Sequence, residues 1–350
     1  MSDVARLAGV ATSTVSRALT RPDRVNAVTR HRIMAAAESL GYTPNAAARS
    51  LRVGRSTAIL AALPEPGLAL ATSQIIPAVL QSAVSTLVES GFDLLLTNRN
   101  SPAAERHILD LAFGGALRGV FILGAAELPS DGSRSLANAA IPMVSLLVDR
   151  SAAGVPSVIT NDRDAMRDGT LHLIALGHRS FLYIAGPTNH YHEVERFRGV
   201  LDALAVAGLS ERAVIRYGGE RGMAQGFQGG IEAAQMYLAL KRRPTAVISC
   251  VGDSAISFIG TVRSGGVSVP GDVSVIGFDG AAIGEFCAAP LTSLEQPTEG
   301  LGVCAARIML SLLDGSAAAA PLRTMLPSRL VLRDSTSVPK RPHRQSSGQS

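Results

Sequence analysis

The spacing of apolar positions changes character once along the chain. Through residue 40 they recur in short segments at three- and four-residue steps, the spacing of amphipathic helices, and no strand-like run occurs. In "DVARLAGVATSTVSRAL" (3–19), Val4, Leu7 and Ala8 make an apolar stripe, Gly9 permits a turn, and Val15, Ala18 and Leu19 return to the same side. Ser2 is the candidate cap of the first segment. A third segment opens at Asn26, a favoured N-cap residue, sets Ile33, Ala36, Ala37 and Leu40 inward, and stops at Gly41. The pattern predicts an all-α helix-turn-helix head over 1–43, with Thr12, Ser13, Ser16 and Arg17 on the outer face of its second helix.

Beyond residue 57 continuous apolar runs appear. "TAILAAL" reads as a buried strand, and the next segment places Ile75, Ile76, Val79, Leu80, Ala83, Val84, Leu87 and Val88 at helical spacing before Gly91. Strand candidates "FDLLLT", "GVFILG", "PMVSLLV", "SFLYIAG", "AVIRY", "AVISCV" and "VSVIGFD" then alternate with helices predicted to start near Pro102, Asp164, Val194, Gly230, Ser254 and Thr298. Such alternation predicts doubly wound parallel sheets with helices on both faces. The series is doubled, since "TAILAALPEPG" and "RSFLYIAGPTN" each lead a strand into a Pro/Gly loop and a long helix. The core over 57–338 therefore reads as two subdomains, 57–160 and 161–290, with segments 291–338 crossing back. A cleft at the carboxyl ends of two such sheets is where small ligands bind. The joint 44–56, "PNAAARSLRVGRS", carries a helix signal and one large apolar residue, Leu51, amid arginines; the polar tail 339–350 is predicted to be disordered.

Charge sharpens the division. The whole chain has a formal net charge of +5, yet residues 1–55 hold nine arginines against Asp3, Asp23 and Glu38, so the basic excess sits at one end. A basic, helical head with hydroxyls and an arginine outward fits nucleic acid: Arg17 can offer paired donors to guanine, and the hydroxyls can reach base edges or phosphate. The three cysteines form no C-x-x-C pair, which favours a reducing cytoplasm over a disulfide frame or zinc site. No apolar run is long enough to span a bilayer, and the N-terminus lacks a secretory pattern.

Enzyme patterns are missing. No strand is followed by G-x-G-x-x-G, "GGERGMAQGFQGG" (218–230) has different spacing, and neither a P-loop nor G-x-S-x-G occurs. His190 and His192, beside Glu193 and Glu195, form the one histidine cluster and read as cleft lining or solvated loop more than as a metal site. Catalysis and a cofactor are not expected.

"DVARLAGVATSTVSRAL…RVNAVTRHRIMAAAESLGYTPNAAARSL" strongly resembles the DNA-binding head of the lactose-repressor/galactose-repressor (LacI/GalR) family of bacterial transcription factors. The resemblance continues in order through "LHLIALGHRSFLYIAGP", "ERFRGVLDAL", "VPGDVSVIGFDG", "PLTSLEQP" and "LPSRLVLRDST". It implies a periplasmic-binding-protein-like core and a homodimer that binds a pseudo-palindromic double-stranded operator. It also implies an operator affinity that changes when a small-molecule effector, a sugar or related metabolite, enters the cleft. Thr12, Ser13 and Arg17 match the family's base-reading positions. Asn45 to Arg52 match its hinge helix, with Asn45, Ala48, Arg49, Leu51 and Arg52 toward DNA and Leu51 as a minor-groove wedge. In the cleft, Arg196, Asp279 and Gln296 match ligand-binding positions, Ser73 opens the first core helix, and Asp253 is a further ligand candidate.

The residues themselves leave alternatives. Arg196 can pair with Glu193 or Asp202, Asp279 can be a loop-turn aspartate, and Gln296 can serve structural hydrogen bonds. Four places depart from the family pattern: "MSDVA" lacks the Thr and apolar residue usual before the first helix, "ITNDRD" has Asn161-Asp162 in reversed order, the stretch after Asp253 is one residue short, and Phe227 lies two residues from the usual aromatic. A tail without leucine argues for a dimer over a tetramer. The competing reading is a solute-binding protein, which would share the core but have an export signal and no basic head.

Overall fold

The structure is a computed structural model that describes residues 1–20, 24–42, 56–63, 75–124, 127–188, 190–220, 223–280, 282–316 and 321–340. The candidates Asn45, Ala48, Arg49, Leu51, Arg52 and Ser73, and the tail from 341, lie outside these residues. The chain divides into two compact units, 1–57 and 58–350.

The first unit holds three helices, α1 (Ser2–Leu7), α2 (Thr12–Thr20) and α3 (Ala27–Ser39). Val4, Ala5, Ala8, Val15, Ala18, Ile33, Ala36 and Ala37 form its core. Gly9, at φ +61°, makes the turn between α1 and α2 in a conformation that glycine adopts without strain. Asn26 caps α3 by accepting the Val28 amide at 2.9 Å. Three inward or capping expectations need correction. Leu7 and Leu40 are exposed, because Val4 and Ala5 of the six-residue α1, with Ala8 just after it, fill the inner face, and Leu40 falls past the last turn of α3. Ser2 is the first residue of α1 and not its cap; Met1 precedes it and no side chain caps the helix.

The second unit contains two six-stranded sheets. One has the order β11-β5-β4-β3-β1-β2, the other β12-β10-β9-β8-β6-β7. The first comprises β1 (Ala58–Leu63), β2 (Asp93–Asn98), β3 (Gly119–Leu123), β4 (Met143–Leu146), β5 (Ser157–Thr160) and β11 (Arg323–Leu326). The second comprises β6 (Phe181–Ile184), β7 (Val214–Tyr217), β8 (Ala246–Ser249), β9 (Ser274–Asp279), β10 (Thr292–Glu295) and β12 (Arg329–Val331). Among the described pairings only β10 with β12 is antiparallel. Helices α4 (Ile75–Glu89), α5 (Pro102–Phe113) and α10 (Thr298–Asp314) cover the first sheet; α6 (Asp162–Ala175), α7 (Tyr191–Val206), α8 (Gly226–Ala239) and α9 (Gly252–Ser264) cover the second.

Helices α6 to α9 begin two to four residues before the starts that the sequence pattern predicts, Asp164, Val194, Gly230 and Ser254. Apart from Tyr191 and Phe227, the residues that open them early are polar or glycine and add no apolar spacing to read. Strands β5, β10, β11 and β12 are absent from the sequence candidates; each is three or four residues long and mixes Ser, Thr, Glu or Arg with its few apolar residues, so that no apolar run marks it. Val88, expected inward, is exposed on α4.

The chain crosses between the sheets three times: at Asn161 from β5 to α6, at Gln296-Pro297 from β10 to α10, and at residues 327–328 from β11 to β12. The first and third crossings are stitched together, the Ser328 amide donating to Asn161 Oδ1 at 2.7 Å.

Candidate functional site

Helices α6 and α7 pack closely because Gly199 offers no side chain at their contact; an added Cβ would collide with the Arg163 carbonyl oxygen. This approach sets two residues of α7, His192 and Arg196, against Asp162 at the start of α6. His192 Nδ1 lies 2.5 Å from Asp162 Oδ2, and Arg196 Nη2 lies 3.5 Å from Asp162 Oδ1. The Thr160 hydroxyl donates to Oδ1 at 2.8 Å. Burial alone would raise the Asp162 pKa, but the Arg196 and His192 charges, with the His192 and Thr160 hydrogen bonds, hold it down at about 2.

Arg196 is buried and fixed on several sides. Nη1 donates to the Cys250 carbonyl at 2.6 Å and lies 3.4 Å from Asp279 Oδ1, while the guanidinium carbon stands 3.6 Å from the centroid of the Phe278 ring. Gln296 Nε2 donates to the same Asp279 Oδ1 at 2.7 Å. Asp279 ends β9 with φ +80°, a left-handed conformation uncommon outside glycine and concentrated at functional sites. A polar chain thus runs from the first crossing, Asp162, through Arg196 and Asp279 to Gln296 at the second.

His192, Arg196, Asp279 and Gln296 line a cavity of about 450 Å³ between the two sheets, with Asp162 buried behind them. Ile75, Ile76 and Leu147 form an apolar wall from the first sheet's side, and His190, Phe227 and Asp253 stand with the network on the other. Two buried polar atoms here have no partner: Arg196 Nε, a donor, and Gln296 Oε1, an acceptor. The Asp253 carboxylate makes no hydrogen bond among the described residues, and burial together with Asp279 pushes its pKa up to about 6. Burial also lowers the His190 pKa, aided by His192.

Arg196, Asp253, Asp279 and Gln296 are therefore brought together. Arg196 pairs neither with Glu193 nor with Asp202: Asp202 binds Arg163, and Glu193 turns inward. Buried Glu193 accepts the Gly186 amide at 2.7 Å, the Tyr183 hydroxyl at 3.0 Å and Arg216 at 2.8 Å, fixing the strand end that leads to His190. Among the described residues no group of three or more His, Cys, Asp or Glu could hold a metal ion. Phe227, out of register by spacing, nonetheless lines the cavity. Sequence reasoning missed Asp162, His192's link to it, and Glu193. Their signals were an acid just after a strand end and two polar residues one turn or less before Arg196.

In the head, Thr12, Ser13 and Arg17 are exposed on α2 and Ser16 is half-buried. A short polar helical face of this kind can enter a major groove. No helix among the described residues is long and apolar enough to cross a membrane.

Two family models match the chain: "Bacterial regulatory proteins, lacI family" over residues 1–45 and "Periplasmic binding protein-like domain" over 170–336. The HTH-type transcriptional repressor CytR of Escherichia coli (strain K12) is 30% identical over 344 residues, covering 96% of each chain. The structure of a transcriptional regulator CelR–cellobiose complex is 28% identical with a TM-score of 0.69, covering 95% of this chain and 98% of that one. The lac repressor dimer bound to operator and the anti-inducer ONPF has the same fold, with a TM-score of 0.80 at 24% identity over 96% of this chain and 98% of that one.

Proposed function

Because this chain belongs to the lacI family of bacterial regulatory proteins, we propose that it is a sequence-specific DNA-binding transcriptional repressor whose operator affinity is set by a small molecule in the core cleft. It acts as a homodimer on a pseudo-palindromic operator, in the cytoplasm, and no catalytic step is assigned to it. The observation that carries this reading is the polar network of the cleft, which reaches two of the chain crossings: Gln296 lies on the second, and Arg196 meets Asp162 beside the first. Occupancy and relative sheet orientation are thereby one equilibrium, and a coupling of about 1–3 kcal/mol changes affinity roughly 5- to 150-fold.

Within this reading Thr12, Ser13, Ser16 and Arg17 read base edges and phosphates. Asn45, Ala48, Arg49, Leu51 and Arg52 form the hinge that engages the minor groove, and Ser73, Arg196, Asp253, Asp279 and Gln296 hold the effector. The cleft suits a donor-rich polar molecule, since Gln296 Oε1 is buried without a partner and the Asp253 carboxylate lines the same cavity. A sugar or related metabolite meets that requirement, as does the cellobiose of the CelR complex.

A gel shift of the full-length chain on the DNA upstream of its own gene, with and without candidate sugars, tests the reading. Saturable binding that weakens steeply with salt is expected. Absence of such binding under every condition would overturn it.

A further inference from the structure

The polar side of the cleft is not charge-balanced. Among the described residues three carboxylates, Glu193, Asp253 and Asp279, line the cavity with one guanidinium, Arg196, while Asp162 and Arg216 meet Arg196 and Glu193 from outside the lining. Glu193 is matched by Arg216 at 2.8 Å, and Arg196 is shared between Asp162 and Asp279 at 3.5 and 3.4 Å. A protonated His192 would add one positive charge, but it stands on Asp162, at the far end of the network from Asp253. Asp253 is left over. Its carboxylate has no hydrogen-bond donor among the described residues, and its nearest charged influence is another carboxylate, Asp279.

A half-buried, unpaired carboxylate facing an apolar wall of Ile75, Ile76 and Leu147 is costly, and the cost grows when a ligand displaces water from the cavity. A neutral hydroxyl relieves part of that cost, and a positive charge relieves more. Phe227, exposed and lining the same cavity, offers a ring face on which a cation is also favoured. The two unpartnered atoms define the rest of the ligand. Arg196 Nε, in a side chain only 3% exposed, needs an acceptor, and Gln296 Oε1 needs a donor.

We propose that the effector carries a protonated nitrogen held by Asp253, with a hydroxyl or carbonyl oxygen on Arg196 and a further donor on Gln296: a small polyhydroxylated amine rather than a neutral or anionic sugar. This rests on the reading of the cleft as the effector site and narrows it. Phosphorylated and carboxylated sugars are disfavoured by the same imbalance, because Arg196, the one guanidinium lining the cavity among the described residues, already meets Asp162 and Asp279.

The test uses the full-length chain, calorimetric titration and thermal melting, with matched pairs as probes: glucosamine against glucose, galactosamine against galactose, and 1-deoxynojirimycin against 1,5-anhydroglucitol. At about pH 7.5, where Asp253 is ionised and the amines carry substantial charge, at least one amine binds ~10-fold or more tightly than its neutral partner. In Asp253→Asn that advantage disappears. A second measurement uses the unaltered chain: the advantage shrinks as pH falls to about 5 and Asp253 takes up its proton, the other titratable and charged groups lining the cavity being Asp279, Glu193, His190, His192 and Arg196. If no amine outbinds its neutral partner, or if the advantage survives Asp253→Asn, the proposal is overturned. Operator binding by the unliganded chain is scored separately. A chain that binds its operator but prefers neutral sugars refutes the charge assignment alone, whereas one that prefers amines but ignores its operator refutes the regulator reading alone.

Discussion

Asp162 and Asp253 are both carboxylates near helix starts in one cavity, yet they respond to acid in opposite ways. Asp253 holds its proton up to about pH 6 in the folded chain, against 3.8 ordinarily. The folded state therefore binds that proton more tightly than the unfolded state, and the stability so gained is full below pH 3.8 and lost as pH rises through 6. Replacing Asp253 by Asn should raise the melting temperature of the ligand-free chain above pH 6 and leave it unchanged below about pH 4. Asp162, held at about 2, contributes stability that is present above 3.8 and lost as pH falls through 2. Asp162→Asn at neutral pH leaves the buried Arg196 with Asp279 alone, and urea denaturation should show a loss of about 3 kcal/mol. Of these residues, Arg196, Asp279 and Gln296 were legible because short local motifs carry them. Asp162 and His192 were not, since they meet only through the contact of α6 with α7, 30 positions apart in the chain.

Helix pairs on the two sheets share a packing device. Gly199 between α7 and α6, Gly230 between α8 and α9, and Gly302 between α10 and α4 each sit where an added Cβ would strike backbone atoms of the neighbouring helix. Gly199→Ala should cost ~2 kcal/mol or more, read by denaturant unfolding, because the clash is with backbone and no flexible side chain can yield. It should also weaken ligand binding, by moving Arg196 away from Asp162. The long amphipathic helices and buried strands were readable from spacing. The short strands β5, β10, β11 and β12 were not, because their place is set by neighbouring strands. The joint 44–56 belongs to this scale as well. Its reading as a hinge helix predicts that Leu51→Ala weakens operator binding and removes the DNA bend, and a circular-permutation gel assay would show either a normal or an abolished bend.

At the scale of the whole molecule, the basic head and nearly neutral remainder place the electrostatic work at one end of the chain. The logarithm of operator affinity should fall linearly with the logarithm of salt concentration, and losing one arginine–phosphate contact, as in Arg52→Ala, should reduce the slope by about 0.9. Both the two-sheet architecture and its partition from the head were visible in the alternation of strands and helices. The chain crossings were not, since nothing in the local pattern marks where a strand joins one sheet or the other.

Those three crossings have a mechanical consequence. Two bodies joined by one strand of chain can tumble independently, whereas three parallel passages, two of them laced by Asn161 and Ser328, allow rotation about their common line and resist twisting and separation. The core resembles a door hung on several pins: a ligand has to supply only the energy of a swing, and severing any single passage would leave the two leaves attached.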